Sequence, residues 1–199
     1  MSRKKAETQE NILAAALKVF ARDGFDGASL PRIASLAGVA HPLILYHFES
    51  KDNLWRRTVE HAFGPLIEQA AMLETNARDF QPLKKLRVMV KAFTYFAARH
   101  PEHFALIMSE APTGSDRLQW LREHFTDAFL LQLQEILRQA QVLKQIRDIP
   151  VEHLSFILIG SVLLYFSLNF YLPEDADLDV LADQHAEYVL TVLLDGVRA

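Results

Sequence analysis

The sequence contains no cysteine. Disulfides and thiolate metal sites are therefore excluded, and the composition suits a reducing cytosol. A signal-peptide core is also missing. The amino terminus, MSRKKAETQEN, is basic and then polar, and no apolar run follows it at the spacing export requires, so the expected location is the cytoplasm. No sustained strand alternation, internal repeat or low-complexity tract occurs. G-x-S-x-G, a P-loop, a dinucleotide fingerprint and metal signatures are all absent. Ser, His and Asp never fall in a spacing that suggests a catalytic site. The expectation is a chain that is not an enzyme and uses no cofactor. His100 and His103 can share one helical face, but Pro101 interrupts the helix between them and spacing offers no third ligand, so no metal site is expected.

What is present is a chain of 199 residues with 50% hydrophobic composition, ample for a sizeable core. Net charge is −4, which argues against binding a polyanion with the whole surface. Residues 1–60, however, hold nine Lys/Arg against seven Asp/Glu, whereas residues 61–199 hold twelve against eighteen. A mildly basic front and an acidic remainder are what is expected if only the front meets a polyanion.

Almost every long segment has helical periodicity. Thr8 can cap a helix running to about Asp23, with Ile12, Ala16, Leu17 and Phe20 as its apolar stripe and Gly24 as its end. Ser29 can cap a short helix to about Ala37, with Pro31 in its first turn. Gly38 then breaks the chain. Ser50 caps a longer helix towards Leu73, bent at Gly64-Pro65. Further helices are expected at about 82–99, 101–109, 115–146, 151–171 and 178–197, punctuated by Pro and Gly. The architecture read from this pattern is all-α: an N-terminal three-helix domain over residues 1–50 and a larger helical bundle over 51–199.

The run Leu154–Leu172 is 19 residues without a charge, long enough for a membrane span. It includes Gly160, serines and Asn169, and acids rather than Lys/Arg flank it, so no membrane association is expected. The favoured reading is a helix buried on nearly all sides with help from a second subunit. The helix carrying Leu178, Leu181, Val189, Leu190, Val192 and Leu193 would join it in a homodimer interface.

Residues 30–49, LPRIASLAGVAHPLILYHFE, have the spacing of a helix-turn-helix. Ala34 is small where the helices cross, Gly38 supplies the turn, and Ile33, Ala37, Val39 and Ile44 are the apolar pegs. A helical wheel turns Ile44 and Phe48 inward. Pro42, Leu43 and Tyr46 then point away, with His41, Leu45 and His47 at the margins. Such a face suits the major groove of double-stranded DNA, where Leu43 meets a thymine methyl and His41 a base edge.

From Thr8 to about Arg57 the chain resembles the DNA-binding domain of the TetR family of transcriptional repressors. The resemblance rests on T-x-x-x-I-L-x-A-A-L-x-x-F at Thr8–Phe20, Gly24-Phe25, S-L-x-x-I-A-x-x-A-G-V from Ser29, and Y-H-F-x-S-K-x-x-L-W at Tyr46–Trp55. It implies that Ser29 and Arg32 approach the DNA backbone. It places His41, Pro42, Leu43, Leu45 and His47 at or near DNA, with Lys51 on a phosphate. Arg3, Lys4 and Lys5 add a flexible phosphate-binding arm. Two positions depart from the family pattern: Ala40 stands where a capping Ser or Thr is common, and Leu45 where a phosphate-binding Tyr is common. Tyr46 then partly replaces that hydroxyl or packs on the following helix. The resemblance also implies a dimer on a palindromic operator and a pocket for a small apolar effector in the rear bundle. Phe93, Phe96, Phe104, Met108, Trp120, Phe125, Phe129 and Tyr165 are the candidates to line it.

Overall fold

The computed structural model describes residues 2–168, 172 and 175–197. The side chains of Arg3 and Lys4, the side chain of Leu73 and residues 169–171 of the long apolar run lie outside the described residues. In chain order the helices are α1 Ser2–Gly27, α2 Leu30–Ala37, α3 His41–Phe48, α4 Lys51–Asn76, α5 Pro82–Arg99, α6 Pro101–Glu110, α7 Asp116–Leu121, α8 Asp127–Val142, α9 Val151–Ser167 and α10 Leu178–Val197. No strand occurs among the described residues.

Three helix limits differ from the sequence reading. The first helix begins at Ser2, not at a Thr8 cap, because Lys, Ala and Glu are good helix formers and nothing before Thr8 breaks the helix. Gly24 does interrupt it, with φ 68 and ψ 177, but one further turn follows to Gly27. The single helix expected over 115–146 is three pieces. A π-helical turn at Arg122–Thr126 separates α7 from α8, and α8 ends at Val142, followed by Lys144 at φ 54.

The chain forms two compact units, Met1–Glu68 with Glu102–Arg122, and Gln69–Pro101 with Glu123–Ala199. In the first, α1 packs on α2 and α2 on α3. Its core includes Ile12, Phe20, Ile33, Ile44, Leu54, Trp55 and Val59, all without solvent exposure. Each such aliphatic contributes about 1.5–3 kcal/mol relative to an exposed position. Thr58 is buried among them and returns its hydroxyl to the Leu54 carbonyl, 2.7 Å away.

In the second unit α5 packs against α8, α9 and α10. Leu86, Val90, Leu133, Leu137, Leu154, Leu158, Ala186 and Leu190 fill the centre. Along its edge an antiparallel ladder of ion pairs sets the register of α5 on α10: Arg87–Glu187, Lys91–Asp183 and Arg99–Asp179. These pairs are exposed, and each contributes well under about 1 kcal/mol. No helix among the described residues is long and apolar enough to cross a membrane. In the single chain α9 turns Leu154, Leu158 and Val162 to the core and leaves Phe156, Ile157 and Leu164 exposed.

His185 on α10 stacks on Tyr165 at 4.1 Å, and its Nε2 lies 3.1 Å from the Ser161 carbonyl. Burial pushes its imidazole below the usual histidine range, and the Ser161 carbonyl only partly opposes this. The unfolded chain therefore takes up a proton near pH 6.5 that the folded chain refuses. Stability is full above that pH and falls as pH drops towards the lowered folded value. Chemical denaturation between pH 7.5 and pH 5 is expected to show this decline, and His185→Gln to flatten it.

Candidate nucleic-acid interface

The interface is built from α2, a glycine corner and α3. Gly38 sits at φ 68 and ψ 31, a left-handed conformation that glycine adopts without a Cβ penalty, and its N–H returns to the Ala34 and Ser35 carbonyls. Ala34, 3% exposed, lets the two helices cross closely. Ile33 and Ile44 are fully buried and Phe48 nearly so, while Ala37 and Val39 are half-buried. The back of α3 is thus held by Ile44 and Phe48.

Its other face is open. Tyr46 is 72% exposed, Leu45 is 41% exposed and Pro42 is exposed, while His41, Leu43 and His47 are half-buried at the margins. His41 Nε2 and His47 Nδ1 are screened from solvent and have no hydrogen-bond partner. Burial and then the charge of Lys5 push the His47 imidazole below its ordinary range, so it stays neutral at pH 7. Lys5 stands with its Nζ 5.9 Å over the Tyr46 ring, which brings part of the basic amino-terminal segment to the open face of α3. Sequence spacing gave no sign of that approach.

Ala40 is the N-cap of α3 and makes no side-chain cap bond. Ser29 is exposed at the N-cap of α2, and its hydroxyl also makes no capping bond, contrary to the sequence expectation. Arg32 pairs with Asp23 at 2.9 Å. Lys51 opens α4, but its ammonium lies 4.7 Å over the Phe25 ring and 3.4 Å from the Asp26 carbonyl.

Between α3 and α4 the chain reverses over one residue. Glu49 has φ 64 and ψ −45, and the Ser50 N–H donates to the Phe48 carbonyl at 2.6 Å, closing a γ-turn. Asn53 then locks the corner. Its N–H donates to Ser50 Oγ and its side-chain amide to the Phe48 carbonyl, both at 3.0 Å. The spacing of Ser50 and Asn53 could have been read as a capping pair. The strained Glu49 could not, since no glycine marks it.

The eight residues proposed from sequence for an effector pocket are divided between the two units. Phe104, Met108 and Trp120 belong to the first unit, and Phe93, Phe96, Phe125, Phe129 and Tyr165 to the second. Met108, 63% exposed, lies away from the buried stripe of α6, and Tyr165, 38% exposed, stacks on His185. Phe93 stacks on Phe129 at 4.8 Å, and Trp120 meets the buried Trp55 edge-on at 5.9 Å. A cavity of about 380 Å³ lies beside Lys18, Val19, Arg22, Arg32, Ser35 and Leu36, on α1 and α2.

A short helix pinned from behind, open in front and flanked by cations is the arrangement of a helix-turn-helix DNA-binding protein. The family profile described as "Bacterial regulatory proteins, tetR family" matches residues 12–58. The transcriptional repressor NicS of Pseudomonas putida is 28% identical over 96% of this chain and 92% of its own. The transcriptional regulator RutR of Escherichia coli is 25% identical over 99% and 93%. Among solved structures, the hemolysin II transcriptional regulator HlyIIR shares the fold with a TM-score of 0.78 at 22% identity, covering 98% of this chain and 99% of that one. AibR, in complex with isovaleryl coenzyme A and operator DNA, shares it with a TM-score of 0.76 at 19% identity, covering 94% and 98%. Residues 12–58 thus match a TetR-family DNA-binding domain, and along nearly its whole length the chain is similar to transcriptional regulators.

The γ-turn yields a stability prediction. Glycine tolerates the Glu49 backbone conformation, which strains a residue bearing a Cβ by about 1–3 kcal/mol. After the entropy that glycine loses on folding, Glu49→Gly is expected to stabilise the protein by about 1 kcal/mol. Denaturant melts of the two proteins check this; a loss of stability would show that the corner is unstrained.

Proposed function

We propose that the protein is a dimeric repressor that reads a palindromic operator with α3 and is released by a small apolar effector. The division of labour follows residues 1–50 for DNA and residues 51–199 for effector and dimer, in the cytoplasm. The observation that carries the reading is the two-sided character of α3. Ile44 and Phe48 are buried behind it, while Pro42, Leu45 and Tyr46 stand exposed in front. An isolated soluble helix corner has no reason to leave those apolar groups uncovered; a groove floor of base edges and methyl groups supplies one. On this reading His41, Leu43 and His47 border the bases, and Ser29, Arg32 and Lys51 meet phosphates.

The dimer is supported by two uncovered apolar stripes. Phe156, Ile157 and Leu164 lie on α9, and Val180, Tyr188 and Val192, spaced eight and then four residues apart, on α10. A two-fold axis through these helices gives self-complementary contact and two copies of α3 for two half-sites about 34–36 Å apart. The effector proposal draws on the aromatic side chains of the second unit. It also draws on AibR, whose structure holds operator DNA and an acyl-coenzyme A ligand. Effector binding would change the separation of the two α3 helices and so the fit to successive grooves.

Two experiments test this. Purified protein at moderate salt is expected to prefer duplex from its own upstream region over random duplex. Tyr46→Ala weakens that preference, and Lys51→Ala lowers the salt dependence by about one counterion. Equal affinity for both duplexes would sink the operator reading. Separately, Phe156→Glu with Val192→Glu is expected to convert a sedimenting dimer to a folded monomer with little operator affinity; an unchanged dimer would remove α9 and α10 from the interface.

A further inference from the structure

The ring of Phe25, just past the Gly24 break in α1, is shared by two cations. Lys51 Nζ lies 4.7 Å from its centroid and the Arg117 guanidinium carbon 3.6 Å from it. Arg117 belongs to α7, far from α4 in sequence, and only 18% of its side chain is exposed. What fixes it there is Glu110, the last residue of α6. Glu110 is 1% exposed, and its carboxylate receives Arg117 Nε at 3.4 Å and the Ser115 hydroxyl at 3.0 Å. Ser115 is itself the N-cap of α7, accepting the Leu118 N–H at 3.2 Å. Thr113 closes the corner, donating its N–H and hydroxyl to the Glu110 carbonyl at 2.9 and 2.7 Å. A buried carboxylate with this many partners holds one geometry.

We infer that Arg117, aligned by Glu110, is a positioning residue for Lys51 and links the α6–α7 corner to the DNA-facing end of α4 through Phe25. The inference rests on the operator reading above. Lys51 rests on Phe25 and the Asp26 carbonyl. To meet a phosphate its ammonium must leave both. The aromatic face attracts a cation through its quadrupole, and a second cation on the same ring weakens the hold on the first by repulsion. With Arg117 in place, Lys51 departs readily. When the α6–α7 corner draws Arg117 away, Lys51 is held more firmly and the phosphate contact weakens. The corner thereby tunes operator affinity without touching DNA.

A double-mutant cycle tests this in the full-length dimer, with a duplex selected from a random pool by the wild-type protein. Arg117→Ala is expected to weaken binding about two- to five-fold, the size of one exposed cation–π contact. In a Lys51→Ala background the same change is expected to have no effect. Arg117→Lys, which keeps a cation on the ring, is expected to retain most of the affinity, and Glu110→Gln to lose part of it. An equal loss from Arg117→Ala in both backgrounds would overturn the inference, because the residue would then act without Lys51. A DNA-free arm separates this from failure of the operator reading. Urea melts of Arg117→Ala, Phe25→Leu and the double variant are expected to be non-additive, and additive effects would show that the ring contact is not made. If no duplex is selected at all, the operator reading fails, while non-additive melts still uphold the ring contact and additive ones remove it.

Discussion

The arrangement of the first unit depends on the burial of Ile44 and Phe48. These two side chains lie four residues apart on one side of an eight-residue helix, and they commit that side to the core. A helix of this length has no independent stability in water, so its existence and its rotation about its own axis both come from this packing. Everything α3 displays follows: with 44 and 48 inside, residues 42, 45 and 46 have nowhere to go but outward. Ile33 and Ala34 on α2 and the left-handed Gly38 complete the mount.

Much of this was legible in the sequence because it is encoded locally. Proline and glycine punctuate the helix ends, and the alternation of buried and open positions along α2 and α3 has the helical period. Gly38 signals its own conformation by being glycine. The reading failed where the determinants are not local. Glu49 adopts a glycine-like conformation without being one, held by bonds from Ser50 and Asn53. The helix over 115–146 breaks at a π-turn that no proline or glycine announces. The aromatic residues proposed for a pocket have the composition of one, yet composition is silent on which side each ring faces.

Charge is organised differently in the two units. In the second, cations on α5 meet acids on α10 in an antiparallel ladder that fixes register more than it adds stability. In the first, ion pairs such as Arg32–Asp23 and Arg56–Asp52 stand beside cations placed against aromatic rings: Lys5 on Tyr46, Lys51 and Arg117 on Phe25, and Arg56 on Trp120. A ring holds a cation without neutralising it. Lys5 and Lys51, set on rings, therefore keep positive charge at the front even though the chain as a whole is acidic.

The γ-turn at Glu49 has a metrical consequence. By reversing the backbone immediately after Phe48, and by occupying the Phe48 carbonyl with two donors, it denies α3 a third turn. Eight residues at the α-helical rise give a rod about 12 Å long, matching a major groove of similar width. At the spacing of stacked nucleotides such a rod spans about three to four base pairs. The corner thus acts as a ruler, fixing how much of α3 stands free before any side chain is chosen.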